Sequence, residues 1–253
     1  MPPRCAANLT FLWAELPYLD RFSAAADAGF TGVEILFPYE VAVKETRRAL
    51  VANGLDMVLL NAPPPNYAGG PRGFAAQPER AERFRHDMRR AFRYAEALDA
   101  SFLHVMSGEA EGPEARQTFI DNLSWAAEWA PAGLTLTVEP LNRVAMPGYF
   151  MCDYGLAADV LAAVDAPNVA LQYDSYHAQM IEGDATAVFE RDAARVRHIQ
   201  VGDTPERGAP GTGDVDFQSL FAAIERSGYD GWISGEYHTA GQTDKTLNWM
   251  TLT

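Results

Sequence analysis

Short apolar, β-branched runs recur along the chain, and segments with helical spacing fill the gaps between them. The runs cover residues 5–9, 32–36, 56–60, 102–107, 134–139, 169–174, 198–203 and 232–237, and each is predicted to be a strand. Helical patterns cover 16–28, 41–52, 78–98, 113–130, 153–164, 184–194 and 216–226, with a shorter segment from Thr243. In the first helix Leu16, Leu19 and Phe22 recur by threes and Gly29 supplies a stop. Asp153, Asp184 and Asp216 stand where an N-cap belongs, since a short side-chain oxygen there can accept an otherwise orphaned backbone N–H.

Strands alternating with helices imply parallel pairing through right-handed crossovers. Eight such repeats within 253 residues favour closure into a (β/α)8 TIM barrel, one domain over residues 1–253, rather than an open doubly wound sheet. Neither GxGxxG nor GxxxxGK[ST] occurs, which removes the main support for a nucleotide-binding α/β fold. Loops at 63–78, 108–113, 142–152 and 204–215 are rich in Gly and Pro. Each follows a strand, so all are expected at the C-terminal mouth, where barrel active sites form.

The last four strands sort their side chains by parity, because alternate residues of a strand face opposite sides. Leu134, Leu136 and Val138 oppose Thr135, Thr137 and Glu139; Val169, Leu171 and Tyr173 oppose Ala170, Gln172 and Asp174. Ile199 and Val201 oppose His198, Gln200 and Gly202, and Ile233 opposes Trp232, Ser234 and Glu236. The apolar sets suit the outer helices. The polar sets then point inward and bring Glu139, Asp174, Gln200 and Glu236 to one mouth. One strand-end carboxylate is most often an ordinary salt-bridge partner. Four oxygen-bearing groups at consecutive strand ends with matching parity are a more specific signal. Three carboxylates so close repel one another unless a cation or proton intervenes. A divalent metal resolves that conflict, and an all-oxygen set suits Mg2+ or Mn2+ better than Zn2+.

Composition narrows the partners. The chain is 48% hydrophobic and 21% charged, with 20 Lys and Arg against 34 Asp and Glu, a formal net charge of -14. That sign disfavours nucleic acid. The one dense basic stretch, 80–93, alternates with Glu82 and Asp87 and reads as a solvated helix face. Cys5 and Cys152 form neither a disulfide framework nor a CxxC site. With no leader pattern and no bilayer-length apolar run, no membrane partner is expected and the cytoplasm is the default location. A homo-oligomer is compatible with the sequence.

Glu139-Pro-Leu-Asn-Arg143, Pro147-Gly-Tyr-Phe150, Gln172-Tyr-Asp-Ser-Tyr-His177 and Glu182-Gly183 resemble the hydroxypyruvate isomerase family. Gly32-Val-Glu-Ile-Leu-Phe-Pro38, His104-Val-Met-Ser-Gly108, Pro210-Gly-Thr-Gly213 and Gly235-Glu-Tyr237 agree with it, and the likeness runs essentially the whole length. The family belongs to the xylose isomerase-like barrels, with ketose 3-epimerases and endonuclease IV. The resemblance implies metal ligation by Glu139, Asp174, Gln200 and Glu236, with Glu139 and Glu236 also the acid–base pair. It implies substrate contacts from His177 and Arg207, the latter suited to a carboxylate. The implied partner is a small hydroxy-carbonyl acid or sugar, and the implied reaction is an aldehyde–ketone isomerisation through an enediolate, such as hydroxypyruvate to tartronate semialdehyde. A 2-oxo-tetronate isomerase or a ketose 3-epimerase would use the same site. An endonuclease IV-like hydrolase, which needs several histidine ligands, and a non-catalytic sugar-binding barrel are more distant. His198 is expected in the barrel floor, His104 and Glu34 as ligand-orienting groups. Trp13, Tyr39, Phe74 and Tyr149 are candidates to wall the substrate, with packing the stronger account for some of them.

Overall fold

The computed structural model describes residues 4–64, 72–239 and 241–251. Eight parallel strands close into a barrel in sequence order: β1 Arg4–Asn8, β2 Gly32–Ile35, β3 Asp56–Asn61, β4 Phe102–His104, β5 Thr135–Val138, β6 Val169–Asp174, β7 Val196–Val201 and β8 Trp232–Gly235. Closure is made by β1, which pairs with β2 on one side and β8 on the other. The outer layer holds α1 Asp20–Asp27, α2 Val43–Asn53, α3 Ala81–Leu98, α4 Gly112–Trp129, α5 Tyr154–Val164, α6 Ser175–Glu182, α7 Ala185–Asp192 and α8 Phe217–Ser227. None of the described helices is long and apolar enough to cross a membrane.

Parity behaves as expected. Leu136, Val138, Leu171, Tyr173, Ile199, Val201 and Ile233 all join the main apolar core between barrel and helices. Each such side chain removed from water contributes roughly 1.5–3 kcal/mol. A second, smaller apolar cluster plugs the bottom of the barrel: Ala6, Val58, Leu59, Phe102 and Trp232. The three aspartate caps form, with Asp153 accepting from Leu156 N, Asp184 from Ala187 N and Asp216 from Ser219 N.

The differences from expectation have local causes. The first helix begins only at Asp20, after turns closed by Leu16 N–H to Trp13 O and Asp20 N–H to Pro17 O, and Leu19 is exposed rather than buried. β4 stops at His104, because the Met106 and Ser107 carbonyls accept from Ala75 N and Ala76 N instead of a neighbouring strand. β7 begins at Val196 and ends before Asp203, whose backbone pairs with Gly208. The two elements after β6 are α6 and α7, so the segment carrying His177 is a helix that periodicity did not single out.

Candidate active site

Glu139 directly follows β5, Asp174 ends β6, Gln200 lies in β7 and Glu236 directly follows β8. The register sets Asp174 beside Gln200 and Gln200 beside Ser234, so neighbouring strands present these groups to one volume. All four are buried. Asp174 has a second local duty. It is the N-cap of α6, accepting from Tyr176 N at 2.8 Å, which fixes one of its oxygens and turns the other inward.

Arg207 is brought into this group by its loop. Asp203 organises that loop, one carboxylate oxygen accepting from Thr204 N and Val215 N and the other from Gly211 N and Gly213 N. A Cβ at position 213 would collide with the Thr204 carbonyl, so only glycine lets the loop close there. Arg207 itself takes a left-handed backbone (φ 55°). Its Nη2 donates to Asp174 Oδ2 at 2.6 Å and to Glu236 Oε1 at 2.7 Å, while Nε donates to the Glu236 carbonyl. Phe11 and Tyr176 flank the guanidinium at 5.0 and 5.3 Å from its ring-facing carbon. The cation that crowded carboxylates require is therefore partly supplied by the chain itself.

A line of amides crosses the barrel. Gln172 Nε2 donates to Glu139 Oε2 at 3.0 Å and to Gln200 Oε1 at 2.7 Å, and its own oxygen accepts from Thr137 Oγ1. Gln200 Nε2 donates to Glu34 Oε2, which also accepts from Asn8 Nδ2. The other Glu34 oxygen pairs closely with His198, whose ring lies 5.1 Å from Phe102 at the top of the apolar plug. Glu34 thus orients Gln200, and His198 belongs to the floor, both as expected.

Burial pushes Glu236 up to about 8 against the pull of Arg207, with Asp174 and Glu34 adding to the rise. Burial, then the charges of Asp174 and Glu236, hold Glu139 well above the usual carboxylate range. Asp174 is also raised by burial, which Arg207 and the α6 N-terminus oppose. Burial drives His104 down to about 3 and His177 well below its ordinary value, so both rings are neutral near pH 7. In His177, Nδ1 accepts from Asn142 N at 2.9 Å. The neutral ring must then carry its proton on Nε2, 4.0 Å from Asp174 Oδ2, as a donor facing the cavity.

The mouth holds a cavity of about 490 Å³. Glu139, Glu236, Gln172, His104, His177 and Arg207 line it, while Asp174 and Gln200 do not reach its wall. Trp13, Tyr39, Phe74 and Tyr149 are buried in packing roles and none lines this cavity. Tyr39 OH donates to Asn61 O, and Tyr149 OH accepts from Ser107 N. Four polar lining groups, Gln172, Asn61, Arg72 and Glu109, had no role from the sequence. Gln172 shares the parity of Asp174 and was discoverable from it. Asn61, whose Oδ1 has no partner, lies one residue past the predicted strand. Arg72 lies in a loop that gives no periodic signal. Part of the loop at 63–78 lies outside the described residues.

The donor chemistry fits a divalent cation. Glu139 Oε1 and Glu236 Oε2 are buried with no hydrogen-bond partner among the described residues, an arrangement that costs free energy unless something positive meets them. Glu139, Asp174 and His177 also place three ligand-type atoms within 4.8 Å of one another. The proton on His177 Nε2 makes that ring a donor to a bound molecule rather than a ligand. The carboxylates and the Gln200 oxygen remain.

A family model for xylose isomerase-like TIM barrels matches residues 22–252. The 2-oxo-tetronate isomerase of Cupriavidus necator is 42% identical, over 98% of this chain and 97% of the relative. The hydroxypyruvate isomerase of Escherichia coli is 36% identical over 98% of each chain. A solved structure from Brucella melitensis, described as an AP endonuclease of family 2, matches with a TM-score of 0.94 at 42% identity, covering 98% of both chains.

Proposed function

The chain belongs to the xylose isomerase-like TIM barrel family, and from that premise we propose that it isomerises a 3-hydroxy-2-oxo acid to its 2-hydroxy-3-oxo partner. Hydroxypyruvate to tartronate semialdehyde and 2-oxo-tetronate to 3-oxo-tetronate are the same reaction. They differ only in whether C3 carries a hydrogen or a hydroxymethyl group. The relatives named for these two reactions support the class. The observation that carries the reading is the pair Glu139 and Glu236, each with an unpartnered buried oxygen, lining one cavity.

One glutamate removes the C3 proton, and the electron pair forms the C2–C3 double bond of an enediolate. A proton returns to C2, the C3 hydroxyl loses its proton as C3 becomes the carbonyl, and O2 gains one. Burial raises both carboxyls, which suits groups that must give back what they take. The Nε2–H of His177 and the free guanidinium edge of Arg207 face substrate oxygens as these become negative. Glu139, Asp174, Gln200 and Glu236 would hold Mg2+ or Mn2+, which, when bound, supplies positive charge beside the reacting oxygens. A multi-histidine hydrolase site finds no counterpart. All five histidines are described, and the candidate metal cluster among the described residues contains one.

The test is product analysis by NMR in D2O with Mg2+ or Mn2+, across hydroxypyruvate, 2-oxo-tetronates and free ketoses. Carbonyl migration in the acids, with deuterium at C2, is expected. Turnover confined to ketoses, with inversion at C3 and no migration, would overturn the reading.

A further inference from the structure

A substrate of the proposed class carries a carboxylate one bond from a reacting carbon, yet the cavity walls are rich in carboxylates. Glu139, Glu236 and the exposed Glu109 all line it. An anion entering such a site is repelled unless a cation with unused donors stands close to the reacting carbons. The two histidines of the wall are turned to the protein: His177 Nδ1 accepts from Asn142 N with Nε2 4.0 Å from Asp174, and His104 Nδ1 lies 3.5 Å from Glu139. Arg207 is engaged from inside the protein, its Nη2 shared between Asp174 and Glu236.

Arg72 is different. It lines the same cavity, is exposed, and forms no hydrogen bond or ion pair with any described residue. Its backbone is not that of a loose surface arginine. The following residues are pinned to the end of β4 by Ala75 N–H to Met106 O and Ala76 N–H to Ser107 O. Asn122 Nδ2 donates to Ala75 O at 2.9 Å from α4. Gly73, with φ 80°, packs so closely on Met106 that a side chain there has no room. The arginine next to it is thus held at the mouth on a fixed support, its donors unengaged by any described residue.

Resting on the proposed reaction, we infer that Arg72 is the carboxylate anchor of the substrate, the residue that makes this cavity select 2-oxo acids over neutral ketoses. Arg207 then acts as a resident counter-ion that contacts the reacting oxygens. A planar guanidinium with free donors matches a carboxylate bidentately, and lysine reproduces the charge without the fork.

The experiment compares wild type, Arg72→Gln and Arg72→Lys on hydroxypyruvate, 2-oxo-tetronate and erythrulose, in which hydroxymethyl replaces the carboxylate of the tetronate. Equilibrium binding of glycerate, an unreactive 2-hydroxy acid, is measured by calorimetry alongside. Arg72→Gln should raise KM for the acids and weaken glycerate binding by roughly 10- to 100-fold, with kcat falling far less and Arg72→Lys intermediate. Erythrulose is expected to be a poor substrate of wild type already, and Arg72→Gln should not worsen it. An unchanged KM with unchanged glycerate affinity overturns the anchor, as does a collapse of kcat at constant KM. Wild type inactive on every 3-hydroxy-2-oxo acid would instead remove the proposed reaction, while the glycerate arm still decides whether Arg72 binds a carboxylate.

Discussion

The two ends of the barrel interior are built from the same strands and the same inward-facing parity, yet they hold opposite contents. At the N-terminal end, Ala6, Val58, Leu59, Phe102 and Trp232 form a dry plug, with Arg4 stacked 4.1 Å over Trp232 from outside. At the C-terminal end, two buried carboxylates, Asp174 and Glu236, share a guanidinium beside a third, Glu139, and several polar atoms have no partner among the described residues. The His198–Glu34 pair is the layer between them. Backbone geometry cannot be what separates stability from chemistry here, since it is common to both ends. The division comes from which residue type occupies each inward position: close packing at the bottom, unsatisfied charge at the top.

That contrast can be broken from either end. The largest effect is expected at the top: Glu139→Gln and Glu236→Gln should each lower turnover by about 10²–10⁴-fold. Exchange of the substrate proton with solvent deuterium, followed by NMR, should vanish in both, while thermal stability holds because a buried like charge has been removed. Persisting exchange in both variants would sink the two-glutamate scheme. At the bottom, Trp232→Ala opens a cavity in the plug and should cost about 3–5 kcal/mol in denaturant unfolding. The KM of whatever remains folded should stay near wild type; an equal loss of substrate affinity would mean the two ends are not separable. The smallest effect sharpens the comparison. Arg207→Gln leaves Asp174 and Glu236 without their cation and should cost about 1–3 kcal/mol in chelator. Added Mn2+ should restore part of that loss in calorimetry, and no restoration would argue against a metal shared by those carboxylates.

Much of the site was legible beforehand because its logic is local. The apolar alternation of 134–139 and 169–174 fixes which side chains face inward, and the structure keeps that parity for Glu139, Asp174, Gln200 and Glu236. The family likeness added Glu139 and Glu236 as a proton-transfer pair, which the geometry supports without testing. Other features were not legible. The His177 helix is only eight residues long, too short for a periodic signal, and its start is set by the Asp174 cap. Walls of Trp13 and Tyr149 looked available from loop position, but their rings pack into the core. Arg72 had no pattern at all. What makes it a cavity residue is the docking of residues 73–76 on the end of β4, a contact between segments some thirty residues apart.

By itself the sequence determined the closed eight-strand barrel, the inward parity of its later strands and the four oxygen donors at their ends, because period-two alternation and turn chemistry act over a few residues. Only the tertiary structure decided what meets those donors. The Asp203-organised loop folds Arg207 back between two of them, and the Asn142 N–H fixes the His177 tautomer. Residues 73–76, docked on the end of β4, set Arg72 at the mouth. Each of these depends on hydrogen bonds between parts of the chain distant in sequence, and no local pattern encodes such a pairing.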